Sequence, residues 1–207
     1  MEALFIGHGY VDVTLVADKI PTGDEKAIAS DYAFSYGGNA VTAGFAAAKL
    51  GAKVDLIMQQ AHDMLGDILG KMAMDAGIRL HARPVERSSL SVVLPNSGNR
   101  RAVVRCRDAD YLDLFPEVSL DGIKALHIDG HQPDAAYYYA QKCHEMGILT
   151  SLDGGTVRDN TEEILPYLDV AAVSERFCEV LDKSPQDTLT WLKERGVKIP
   201  AVTLGED

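Results

Sequence analysis

Apolar and polar positions follow two different rhythms along this chain. Short apolar runs recur at Ala3–Gly7, Lys53–Met58, Ala125–Asp129, Leu149–Asp153, Val170–Val173 and Ala201–Leu204. Stretches with helical character separate most of them: Asn39–Leu50, Asp63–Gly77, Asp134–Met146, Glu162–Leu168, Glu175–Leu181 and Thr188–Arg195. Buried strands alternating with helices predict a mostly parallel sheet covered on both faces. Two segments break this rhythm. Val11–Asp18 and Lys26–Phe34 alternate residue by residue, which predicts strands with one wet face. Further on, Ile78–Val85 reads as extended and Asp108–Glu117 as irregular. Between them, Leu90–Leu94 and Arg101–Cys106 flank Pro95-Asn-Ser-Gly-Asn99, which predicts a hairpin. The interrupting strands are expected to form a small sheet standing off the main body.

Length and charge narrow the picture. The 207 residues suit one large domain or two small ones. Net charge is −11, from 20 basic and 31 acidic residues. That argues against a nucleic-acid or membrane-surface binder, while leaving room for a local basic pocket. No apolar run reaches the length of a membrane span, and the N-terminus lacks a secretory signal. Cys106, Cys143 and Cys178 are odd in number, far apart and without CxxC spacing, so reduced thiols in a cytoplasmic protein are expected.

The stretch from Phe34 to Gly66 carries the densest signal. Gly37 and Gly38 allow a ligand close to the backbone, and the N-terminus of the following helix favours hydroxyls or anions there. The same small residues also suit tight packing alone. Gly7-His-Gly9 resembles a dinucleotide turn, but Asp12 stands at the third glycine and a strand follows where a helix is required. Gly66-Asp-Ile-Leu-Gly70-Lys71 has too few residues between its glycines for a phosphate loop and no Ser or Thr after the lysine. His127 and His131 are four apart, on a strand and the loop after it, which does not suit a shared metal. Asp12 lies just past the end of the first strand, where ligands gather in open α/β sheets. It reads as an acceptor for two neighbouring sugar hydroxyls or as a solvated acid on an edge strand. Asp153 ends another strand, facing the same crevice or capping the next turn. Arg105 and Arg107 read as ligands for a phosphate or sulfonate, or as a charged outer face.

In combination, the acid after the first strand, the interrupting strands and the segment YGGNAVTAGFAAAKLGAKVDLIMQQAHDMLG resemble the ribokinase or PfkB carbohydrate-kinase family, with similarity to its sulfofructose-kinase-like branch. The resemblance covers the whole chain. It implies a ribokinase-like three-layer α/β sandwich over residues 1–207, with a small β-sheet lid whose strands lie within about 11–36 and 79–106. It implies ATP-dependent phosphoryl transfer to a sugar hydroxyl, with Mg2+, and a homodimer formed through the lid. Asp12, Gly38, Asn39 and Thr42 would contact the sugar, with Arg105 and His131 at its far end. Those basic groups point to an anionic or phosphorylated sugar. Ser174, Thr203 and Gly205 fall at nucleotide positions. Ser174 replaces an asparagine of an Asn-x-x-Glu motif, Thr42 replaces an asparagine, and Ala61 replaces a glycine. The family's Gly-Ala-Gly-Asp segment, which supplies the catalytic base and an anion hole, does not occur in the sequence. The base is therefore expected beyond Asp207, the sequence is expected to be the first part of a longer natural chain, and the 207 residues alone are expected to be inactive. A non-catalytic sugar-binding or regulatory protein of the same fold is the alternative.

Overall fold

The computed structural model describes residues 1–95 and 101–205. The chain opens with β1 (Ala3–Ile6), β2 (Tyr10–Val16) and β3 (Asp31–Gly37), followed by α1 (Asn39–Lys49), β4 (Val54–Gln60), α2 (Met64–Asp75) and β5 (Arg79–Pro84). Next come β6 (Leu90–Pro95), β7 (Arg101–Cys106), β8 (Ala125–Ile128), α3 (Pro133–Glu145) and β9 (Leu149–Gly154). The remainder is α4 (Thr161–Ile164) continued by a turn of 3-10 helix, β10 (Val170–Ser174), α5 (Glu175–Val180), α6 (Pro185–Glu194) and β11 (Ile199–Thr203).

Seven strands form one sheet in the order β11-β10-β9-β8-β1-β4-β5, and every pairing in it is parallel. Both faces are buried, because residues along a strand alternate sides. On β1, Leu4 and Ile6 join a core with Leu126, Ile128 and Tyr139 beneath α3, while Phe5 joins a second core with Val41, Phe45 and Leu69 beneath α1 and α2. The small residues of α1 permit close approach, and a side chain at Gly44 would already press on the Phe5 ring. α1 ends in a Schellman turn through Gly51 and Ala52, and α2, α3 and α6 end the same way.

The smaller sheet has the order β3-β2-β6-β7. β2 pairs antiparallel with β3 and parallel with β6, and β6 pairs antiparallel with β7. β5 belongs to the central sheet, so within 79–106 the smaller sheet takes only β6 and β7. The hairpin loop expected after Pro95 lies outside the described residues. The third strand differs from the sequence expectation. Alternation suggested Lys26–Phe34, but β3 runs from Asp31 to Gly37, because all of β2 from Tyr10 to Val16 pairs with it. Residues 24–30 form no strand.

Asp63 ties the two sheets together. It caps α2 by accepting from the Gly66 amide at 2.8 Å, and it accepts from the Ser88 amide at 2.9 Å and the Ser88 hydroxyl at 2.6 Å, just before β6. Burial disfavours its charge, but these hydrogen bonds outweigh burial and hold the carboxyl below its usual range. Asp63→Ala is expected to lower the unfolding free energy by about 1–2 kcal/mol, read by urea denaturation. The folded value is lowered, so this contribution is present above the ordinary aspartate range and is lost as pH falls through the folded value. The gap between wild type and variant should therefore shrink below about pH 4. Among the described residues, no helix is long and apolar enough to cross a membrane.

Candidate functional site

All parallel strands point their C-terminal ends at one edge of the central sheet, where the loops can converge. β1 ends there at Ile6, and Gly7-His8-Gly9 carries the chain up into β2 of the smaller sheet. Asp12 is the third residue of β2, flanked by Ser35 of β3 and Ser91 of β6. A side chain at Gly37 would overlap the Asp12 carboxylate, so the glycine leaves that group its room. Gly38, the N-cap of α1, has φ 101° and ψ 137°. A Cβ there would overlap the His8 carbonyl. The first-turn amides of α1 are thereby turned toward the sheet edge.

Two joined cavities occupy this corner. One, of about 450 Å3, is lined by Asp12, Gly38, Asn39, Thr42, Arg101, Arg105 and Asp153, among others. Among the described residues, Oδ1 of Asp12 is buried without a hydrogen-bond partner. Asp153 reaches the cavity wall from the end of β9. The other cavity, of about 220 Å3, shares Gly38, Asn39 and Arg105 with the first and adds His8, Asp129, His131, Arg158 and Arg176. The structure thus brings Asp12, Gly38, Asn39, Thr42, Arg105 and His131 together, although they come from four separate places in the chain. Arg107 stands beside them in a third space with Tyr111 and Arg158.

Asp129 organises the corner. It follows β8 and is 5% exposed. One carboxylate oxygen accepts from the amides of His8 and Ala40, each at 3.3 Å, and the other from the amide of His131 at 3.1 Å. Burial pushes its carboxyl up to about 6, against the pull of these donors. It therefore fixes the turn after β1, the start of α1 and the loop after β8 in one frame. Burial, reinforced by neighbouring guanidiniums, pushes both His8 and His131 down to about 3, so both rings are neutral at pH 7. Arg158 donates to Nε2 of His131 at 2.8 Å. Arginine has no acceptor, so the ring proton of His131 sits on Nδ1.

The three positions expected near a nucleotide lie further along the same edge. Ser174 caps α5, accepting from the Phe177 amide and donating to the Gly155 carbonyl at 2.9 Å. Thr203 ends β11 beside Ser174 on β10, and Gly205 follows with φ 71°. None of these lines the two joined cavities. His127 is a strand residue bonded to Ser151 at 2.9 Å and packed on Phe5, as the sequence suggests.

Sequence reasoning missed His8, Asp129, Arg158 and Arg176. The rule that singled out Asp12 and Asp153, a carboxylate just past an apolar strand, applies equally to Asp129. Arg158 and Arg176 sit in no motif, and only the order of strands β8, β9 and β10 brings them together.

Known proteins share this fold. The profile described as pfkB family carbohydrate kinase matches residues 2–207. An ATP-dependent ribose-1-phosphate kinase of Halopiger xanaduensis is 27% identical over 198 residues, 85% of this chain. The chain spans 62% of that relative's length. Among solved structures, a protein of Agrobacterium tumefaciens assigned provisionally as a ribokinase superposes with a TM-score of 0.89 at 20% identity, over 99% of this chain and 70% of the other. Arabidopsis thaliana ribokinase, solved with ribose and ATP, gives 0.76 at 18% identity, over 99% of this chain and 72% of that one. At these identities the structures speak for the fold.

Proposed function

The chain belongs to the pfkB family of carbohydrate kinases, and on that premise we propose that it serves ATP-dependent transfer of the γ-phosphoryl group to a sugar hydroxyl. One observation carries this reading: the buried, unpartnered Oδ1 of Asp12 in a polar cavity that also holds Asn39, Thr42 and the start of α1. A buried carboxylate oxygen without a donor is costly, and two sugar hydroxyls would supply the missing hydrogen bonds. Gly38, Asn39 and Thr42 would meet the other hydroxyls. Arg105 and His131 would face the far end of the sugar, which favours an anionic acceptor. No residue within 1–207 is proposed as the catalytic base.

ATP would lie over the ends of β10 and β11. The hydroxyl of Thr203 is only loosely held, 3.5 Å from the Val173 carbonyl, and can turn to a phosphate. The Gly205 backbone would lie beside it. Ser174 fits a phosphate poorly, because its proton is committed to Gly155. Its oxygen would instead accept from a metal-bound water. Among the described residues no three His, Cys, Asp or Glu side chains gather into a metal cage, so Mg2+ would ride on the nucleotide phosphates, as this ion commonly does. The committed proton of Ser174 is also the observation that favours a second reading, a sugar-binding protein of the same fold that transfers nothing. Calorimetric titration of the full-length protein separates the two. Binding of both sugar and ATP supports the kinase, and sugar binding without ATP binding supports the alternative.

The proposal extends to a cytoplasmic homodimer. Cys106 is exposed and unpaired, and Cys143 and Cys178 are buried free thiols, which suits a reducing compartment. Tyr32 and Phe34, on one face of β3, are exposed. A second copy laid against this face would cover them. Sedimentation should give a dimer, and a Tyr32→Glu, Phe34→Glu double variant should give a monomer. A wild-type monomer at high concentration would count against the dimer.

A further inference from the structure

We propose that the 220 Å3 cavity is a subsite for a phosphoryl group carried by the acceptor sugar, with Arg158 as its principal ligand and Arg105 and Arg176 closing over it. The inference deepens the kinase reading and rests on it for the sugar. Three guanidiniums reach this cavity, those of Arg105 from β7, Arg158 from the loop after β9 and Arg176 from α5. Arg107 adds a fourth in the adjoining space, which shares Arg158 and His131. None of the four forms a salt bridge among the described residues. In a chain of net charge −11, acidic partners are plentiful, so converging cations left without one are a site that awaits an anion. The one acid in the cavity, Asp129, already accepts three backbone amides.

Arg158 is built into this place. Its amide donates to the Thr161 hydroxyl at 2.8 Å, and its carbonyl accepts from the Thr161 amide at 2.9 Å, which fixes the turn before α4. Its stem lies over Gly130, where a Cβ would come within 3.2 Å of Cδ. Its Nε is buried with no partner among the described residues. One of its terminal nitrogens rests on the neutral ring of His131. That contact is one a phosphoryl oxygen would replace, because a hydrogen bond between two charged groups is much stronger than one to a neutral imidazole. Nδ1 of His8 is likewise buried and unpartnered in the same wall. The phosphoryl group would therefore sit beside His131 while Asp12 holds hydroxyls in the neighbouring cavity, and Gly38 and Asn39, common to both, span the sugar between them.

The test titrates the full-length protein with inorganic phosphate, and then with a neutral sugar and its monophosphate. Wild type is expected to bind phosphate in one saturable phase. Arg158→Gln should weaken that phase at least tenfold, and Arg158→Lys should recover part of the loss. Wild type should bind the sugar monophosphate at least tenfold more tightly than the neutral sugar, and Arg158→Gln should collapse that preference. Arg176→Gln, an exposed change on α5, guards against misfolding and should lower the preference in the same direction. If no sugar binds but phosphate binding depends on Arg158, the anion subsite stands and the sugar reading falls. If sugars bind with no preference for the monophosphate, or if phosphate binding is the same in wild type and Arg158→Gln, the subsite is overturned.

Discussion

Asp12→Ala is expected to weaken binding of the acceptor sugar by about 3–6 kcal/mol, roughly two to four orders of magnitude, from loss of two hydrogen bonds to a charged acceptor. The stability of the empty protein should move the other way or not at all. Oδ1 of Asp12 is buried without a partner among the described residues, so the unliganded fold already bears the cost of desolvating it, and its removal relieves that cost. A residue whose loss leaves folding intact but removes binding is one kept for its ligand. Asp12→Asn should fall between, because it keeps one acceptor oxygen and turns a donor toward hydroxyls. Urea denaturation alongside titration separates the two effects. If Asp12→Ala unfolds the protein and leaves sugar binding unchanged in the folded fraction, Asp12 is a structural acid and the sugar cavity is misassigned.

The second large effect belongs to Gly38. Gly38→Ala is expected to cost about 3 kcal/mol or more, combining a backbone conformation that side chains rarely adopt with overlap of the new Cβ and the His8 carbonyl. Gly51 supplies the control. Its φ is 95°, close to the 101° of Gly38, but a Cβ there meets nothing within 4 Å. Gly51→Ala should therefore cost about 1–2 kcal/mol, the conformational part alone. Equal costs at the two positions would show that the contact with His8 contributes nothing. Sugar binding should fall with Gly38→Ala and hold with Gly51→Ala, since only Gly38 aims the first turn of α1 at the cavity.

Much of the central sheet was legible because its strands are apolar on both faces and its helices end at clear glycine stops. The boundaries of β4, α1 and α3 differ from the sequence reading by only one or two residues. The smaller sheet was less legible. Alternation along Lys26–Phe34 reports a period and not a partner, and the strand is placed at Asp31–Gly37 by its pairing with β2. The site divides in the same way. Asp12, Gly38, Asn39 and Thr42 lie within two short motifs, where spacing alone brings them near. Asp129, Arg158 and Arg176 meet only because β8, β9 and β10 are neighbours in the sheet. His8 was visible as part of a turn, but its burial and its neutral ring come from packing against Ser89 and Tyr10, which no local pattern encodes.

The role proposed for Asp12 is to present a sugar hydroxyl for phosphoryl transfer. Its most direct test is to incubate the full-length protein with ATP labelled at the γ-phosphate and a panel of neutral and phosphorylated sugars. Label is expected on a sugar hydroxyl, strongest with a phosphorylated acceptor and lost in Asp12→Ala. Sugar binding with no ATP binding and no label on any sugar would contradict it.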